Sequence, residues 1–121
     1  MTIKKILVVD DSPTERFALT ELLEGQGYLV VAAASGEDAI AQSKREKPDL
    51  ILMDVVMPGM NGYQATRTIS RDDETRSIPI IMCTTKGQET DRIWGMRQGA
   101  FDYLVKPVDP DDLLARIRAL G

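Results

Sequence analysis

ILVVDDSP, residues 6–13, is the stretch on which the fold turns. Four aliphatic residues, Ile6 to Val9, run without a polar break into the paired carboxylates Asp10 and Asp11, then into Ser12 and Pro13. An apolar run without alternation belongs to a strand covered on both faces, as in a parallel sheet. Ser12 is a candidate N-cap, Pro13 suits the first helical position, and Glu15 stands where it would complete a capping box. Phe17, Leu19, Leu22 and Leu23 supply the apolar stripe of that helix, and Gly25 and Gly27 stop it. The stretch therefore reads as a buried strand that passes into a helix through two bare acids.

The same alternation continues outward. Runs at 29–33, 50–53, 78–83 and 103–105 read as four more strands. Ser35 opens a second helix through Ala39 and Ile40, ending before Lys47 and Pro48. Asn61-Gly62 opens a third, which carries Ala65 and Ile69. A fourth spans roughly 88–98 with Gly99 as its stop. Asp109 caps the last and Pro110 begins it, with Leu113, Leu114, Ile117 and Leu120 facing inward. Five βα units with right-handed crossovers make an α/β, doubly wound, five-stranded parallel sheet with helices on both faces. The expectation is one domain over residues 1–121, with no output domain.

Composition narrows the function. At 43% hydrophobic with few aromatics, the 121 residues can bury a largely aliphatic core. A net charge of −4 argues against nucleic-acid binding by phosphate neutralisation. The single cysteine, Cys83, allows no internal disulfide and reads as buried and inert. No run reaches the roughly 18 apolar residues of a membrane span, and the start lacks a signal-peptide pattern, so a cytoplasmic chain is expected. The absence of histidine removes Ser-His-Asp and Cys-His catalysis, His-based zinc sites and a phosphohistidine-carrier role.

Parallel strands share a carboxyl edge, where ligands bind. At that edge the first strand ends in Asp10-Asp11, the third in Asp54, the fourth in Thr84-Thr85 and the fifth in Lys106-Pro107. Clustered carboxylates hold their protons more tightly unless a cation relieves them, and Mg²⁺ takes oxygen ligands of this kind. Asp11 and Asp54 are the expected direct ligands, with a main-chain carbonyl near Val56, and Asp10 acting through water. Asp54 can then attack a phosphoryl group as a carboxylate nucleophile, Lys106 balancing charge on its oxygens and Thr84 bonding the product.

The motifs LVVDDSP, LILMDVVMPGMNG, IIMCTT and DYLVKPV, which together span most of the chain, resemble the receiver domains of bacterial two-component response regulators. That resemblance implies a flavodoxin-like strand order 2-1-3-4-5. It implies Asp54 as acceptor of a phosphoryl group from the phosphohistidine of a sensor kinase. It further implies Asp10 and Asp11 as the Mg²⁺-binding pair, Thr84 and Tyr103 as switch residues, Lys106 as the phosphate-contacting lysine and a cis Lys106–Pro107 bond. Tyr103 would turn inward as Thr84 moves toward the phosphate. The stretch TTKGQETDRIWGMRQGAFDYLVKPVD is similar to stand-alone PilH-type regulators of type IV pili and twitching motility, which implies a CheA-like kinase. Output would pass through the fourth helix, fifth strand and fifth helix, from a monomer or weak dimer that is not an enzyme beyond its own phosphoryl transfer and hydrolysis. Trp94 in that region is expected to be a partly buried helix aromatic. Two departures, Val56 and Lys86, stand where relatives place polar or acidic groups that influence hydrolysis.

Other readings separate on specific features. A P-loop NTPase would need G-x-x-x-x-G-K-[ST], which does not occur. A flavodoxin-like cofactor binder would need a phosphate-cradling loop where the two acids stand. An aspartyl phosphatase would carry a second Asp in place of Ser12. A phosphate sink and an interaction module that never takes phosphate share the receiver fold, and only chemistry distinguishes them.

Overall fold

The structure is a computed structural model that describes residues 2–121. The elements run β1 (Lys5–Val9), α1 (Pro13–Gly25), β2 (Leu29–Ala33), α2 (Gly36–Glu46), β3 (Leu50–Met53), α3 (Gly62–Arg71), β4 (Ile80–Thr84), α4 (Glu89–Gln98), β5 (Asp102–Val105) and α5 (Pro110–Leu120). All neighbouring strands pair in parallel, in the order β2-β1-β3-β4-β5. This is the α/β, doubly wound, flavodoxin-like sheet. Each strand splits its side chains between two cores. Leu7, Val9, Ile51, Met53, Ile80 and Met82 pack on one face with Ala39, Tyr63, Ala65 and Ile69. Ile6, Val8, Leu50, Leu52, Ile81 and Cys83 pack on the other with Leu23, Leu113, Leu114 and Ile117. Period-two alternation between two apolar layers is why the strands read as unbroken apolar runs. Among the described residues, no helix is long and apolar enough to cross a membrane.

Several local expectations need correction. β4 starts at Ile80, not at residue 78, because Ile78 closes a turn onto the Thr75 carbonyl. β2 is not covered on both sides: it is the sheet's edge, and Leu29 is 64% exposed. Phe17 does not join the apolar stripe of α1 but is 67% exposed. At 100° per residue it lies about 120° from Leu23, whose face meets the sheet. The capping box at α1 is half formed. Ser12 Oγ accepts from the Glu15 amide, but the Ser12 amide donates to Asp10 Oδ1, and the Glu15 carboxylate turns to Lys106.

Among the described residues, Thr66 Oγ1 is the one buried side-chain polar atom without a partner. A buried unpaired hydroxyl costs more than an isosteric methyl. Thr66→Val should therefore stabilise the fold by about 1 kcal/mol, read as a higher denaturant midpoint with an unchanged slope.

Candidate functional site

β1, β3, β4 and β5 deliver their last residues to one sheet edge. Asp10 and Asp54 sit just past β1 and β3, and each extends the ladder by one bond: Asp10 N donates to Ala33 O at 3.1 Å and Asp54 N to Val9 O at 2.9 Å. Both carboxylates are thereby fixed in the protein edge, 1% and 6% exposed, while Asp11 stands at the exposed rim. Carboxylate oxygens of Asp10, Asp11 and Asp54 lie within 4.8 Å of one another.

Lys106 enters the cluster from the β5–α5 connection. Its Nζ lies 2.9 Å from Asp10 Oδ2, 3.0 Å from Glu15 Oε1 and 3.5 Å from Asp54 Oδ1. The Lys106–Pro107 peptide bond is cis. Asp10 is directly ion-paired to this ammonium. Burial pushes the Asp54 carboxyl up to about 6; Lys106 pulls it down, the Asp10 charge adds to the rise, and the Val55 amide opposes it from 2.9 Å. Burial works against the charge on Lys106, but its bonds to Asp10 and Glu15 prevail and its pKa is raised. One ammonium among four carboxylates leaves net negative charge that a divalent cation would relieve. The donor set of three carboxylates, two of them desolvated, fits a hard oxygen-seeking ion such as Mg²⁺.

Thr84, the last residue of β4, is fully buried, and its Oγ1 accepts from Lys86 N at 3.2 Å. Tyr103 on β5 is already inward, 6% exposed, donating to Lys86 O at 2.6 Å. Burial, with the Tyr63 hydroxyl 3.3 Å away, raises its phenol above the usual range. Space for the ring comes from Gly95, where a Cβ would stand 2.8 Å from Met82 Sδ and 3.0 Å from the Tyr103 ring. Val56 is exposed beside Asp54 and lines, with Met57, Tyr63 and Lys86, a cleft of about 340 Å³. On the opposite flank, a cavity of about 230 Å³ is lined by Glu15, Leu19, Cys83, Lys106 and Val108. The buried Cys83 thiol is pushed up to about 12 by desolvation.

Glu15, Arg16 and Tyr63 escape a reading of motifs alone. Arg16 Nη1 holds the Asp10 carbonyl at 2.7 Å, and Tyr63 Oη donates to Asp91 O at 3.1 Å. Glu15 gave a signal, an acid in the first turn after Ser-Pro, but that signal points equally to capping. Trp94, expected partly buried, is 49% exposed.

Residues 6–118 match the family model described as response regulator receiver domain. The chain is 57% identical over 116 residues to protein PilH of Pseudomonas aeruginosa, covering 96% of each. Further curated relatives are longer, and the chain spans about half of them. Chemotaxis protein CheY4 of Vibrio cholerae superposes with a TM-score of 0.91 at 32% identity, covering 99% of this chain and 100% of that one. The receiver domain of a Pseudomonas aeruginosa sensor histidine kinase, solved with magnesium coordinated in its active-site cleft, matches at TM-score 0.89 and 33% identity over 98% of each chain. With the acidic crevice, the strand order and these matches agreeing, the chain belongs to the family of response regulator receiver domains.

Proposed function

We propose that this chain is a stand-alone response regulator that takes a phosphoryl group on Asp54 from the phosphohistidine of a CheA-like sensor kinase. One Asp54 carboxylate oxygen attacks phosphorus, the phosphorus–nitrogen bond of the donor breaks, and an acyl phosphate remains. Hydrolysis returns the carboxylate and releases phosphate. The observation that carries this reading is the convergence at one sheet edge of Asp10, Asp11 and Asp54, their carboxylate oxygens within 4.8 Å of one another, with Lys106 Nζ 2.9 Å from Asp10 and 3.5 Å from Asp54.

Asp10, Asp11 and Asp54, with the Val56 carbonyl, would hold Mg²⁺. When bound, that ion supplies charge to balance the oxygens of the transferring group. Lys106 would leave Asp54 for a phosphoryl oxygen, and Thr84 Oγ1 would donate to another. The added charge of roughly −1.5 to −2 would draw Thr84 forward. Because Tyr103 is already seated inward, phosphate would fix this arrangement and not create it, and the shift cannot exceed its differential interaction with the two states. Output would pass by protein contacts through α4, β5 and α5, where Met96 and Val105 are exposed. The likeness to PilH supports a role in twitching motility.

Incubation with Mg²⁺ and acetyl phosphate, followed by intact mass, should show the gain of one phosphoryl group. If the wild type gains nothing and a CheA-like kinase also fails to label it, the reading falls and an interaction module remains. A second measurement addresses the ion itself. Mg²⁺ should raise the melting temperature, since a ligand held at 100 times its Kd stabilises by about 2.7 kcal/mol. Asp11→Ala should lose most of that rise while keeping the fold, because Asp11 is exposed and carries no structural bond.

A further inference from the structure

α4 is built with its apolar residues outward. Of its 10 residues only Gly95 and Gln98 are buried, whereas Ile93, Trp94 and Met96 are exposed. A helix ordinarily turns such residues to the core. Here the inward position is a glycine, since Tyr103 and Met82 occupy the space a side chain would need.

α4 lies beside α3 in a defined register. Tyr63 is level with Asp91, whose carbonyl it bonds, and Ser70 is level with Gly99, against which it packs. Arg67 lies four residues after Tyr63 and three before Ser70, so it emerges from the same side of α3 between these two contacts. Trp94 lies three residues after Asp91, on the facing side of α4. Arg67 and Trp94 therefore flank the α3–α4 seam at one level, with Arg71 a turn further along α3 and Arg97 a turn further along α4. All four are exposed.

The seam also gathers positive charge. The chain carries a net −4, and Lys5, Lys44, Arg45, Arg76, Lys86, Lys106 and Arg116 each have a carboxylate within 4.0 Å. Among the described residues, Arg67, Arg71 and Arg97 have none, nor do Lys4, Arg16, Lys47, Arg92 and Arg118, but of these eight Arg67, Arg71 and Arg97 share this seam. Three uncompensated guanidiniums around an exposed tryptophan form the kind of surface that anchors protein partners, where Trp and Arg dominate binding energy.

We infer that the α3–α4 seam docks an acidic segment of another protein, whose carboxylates meet Arg67, Arg71 and Arg97 while an apolar residue covers Trp94. Charge complementarity selects this occupant, because guanidiniums bind carboxylates bidentately. A nucleic acid fits less well, because it carries a phosphate at every nucleotide and so meets the net −4 chain beyond these three arginines, whereas a short acidic segment can end with them. The seam shares α4 with the surface formed by α4, β5 and α5 but lies on its α3 side, and docking there requires no phosphorylation.

Trp94 is the only tryptophan, so its emission reports on the seam directly. The full chain is titrated with a synthetic peptide of repeated Glu-Glu-Leu, a matched Lys-Lys-Leu peptide and a single-stranded oligonucleotide. The glutamate peptide should shift Trp94 emission to shorter wavelength, saturably, and bind at least about tenfold more tightly than the lysine peptide. Doubling the salt should weaken it. Combining Arg67→Glu with Arg97→Glu should cost about another tenfold or more, Arg67→Gln with Arg97→Gln an intermediate amount, and Arg118→Glu on α5 less than about twofold. An equal response to the lysine peptide, a stronger one to the oligonucleotide, or undiminished binding in the folded double variants would overturn the assignment. So would sedimentation showing a dimer that the double variants abolish, which would make a second copy the occupant.

Discussion

Asp54→Asn should abolish the gain of one phosphoryl group from acetyl phosphate and Mg²⁺, and at neutral pH it should melt higher than the wild type. The first effect follows from chemistry, since an amide oxygen neither attacks phosphorus at a useful rate nor leaves an acyl phosphate. Persistent labelling of the variant would assign the acceptor elsewhere. The second follows from burial. Asp54 titrates at about 6 in the folded chain against an ordinary value of 3.8, so the folded state holds its proton more tightly than the unfolded state. Stability from this group is fully present below about pH 4 and is lost as pH rises through about 6, and above that the cost of the buried charge is constant. Screening by the solvent that reaches the crevice reduces that cost to about 1–2 kcal/mol. Melting curves of the two proteins should thus coincide near pH 4 and separate by several degrees at pH 8. Added Mg²⁺ should narrow the gap by stabilising the wild type alone.

Gly62→Ala should be among the most damaging single-methyl additions in this chain. Gly62 is the first residue of α3, and its amide bonds the Val55 carbonyl at 2.9 Å. A Cβ there would overlap the Asp54 carbonyl and stand 2.8 Å from Val55 Cα. These are backbone atoms, so no side-chain rotation can relieve the overlap, and either α3 or the loop carrying Asp54 must move. Overpacking of this kind costs about 3 kcal/mol, a fall in melting temperature on the order of 10 °C. Phosphorylation should slow as well, since the nucleophile shifts with its loop. Gly25→Ala is the control: it lies in α1 with nothing within 4 Å of its Cβ, and should gain up to about 1 kcal/mol. Equal denaturation midpoints for the two variants would contradict this account.

The order and type of the elements were legible because their causes are local. Ser12 and Pro13, Asn61 and Gly62, and Asp109 and Pro110 start helices through bonds spanning two or three residues, and Gly99 stops one through its positive φ of 113°. The strand-end acids stood out because a buried run has no local use for charge. Glu15, Phe17 and Trp94 misled for the opposite reason. Glu15 prefers a lysine that joins the cluster through a pairing with Asp10 at a sequence separation of 96. Phe17 and Trp94 are apolar residues whose helices have turned other faces to the sheet, α4 because Tyr103 had already filled its inward side.

Short-range sterics and hydrogen bonding, acting within a few residues, let the chain alone specify five strands, five helices, their caps and the acids at the strand ends. Which carboxylate shares Lys106, which aromatic is buried and which arginines go unpaired depend on neighbours brought from distant segments. Those outcomes exist only once packing places the segments side by side, because no local bond distinguishes one partner from another.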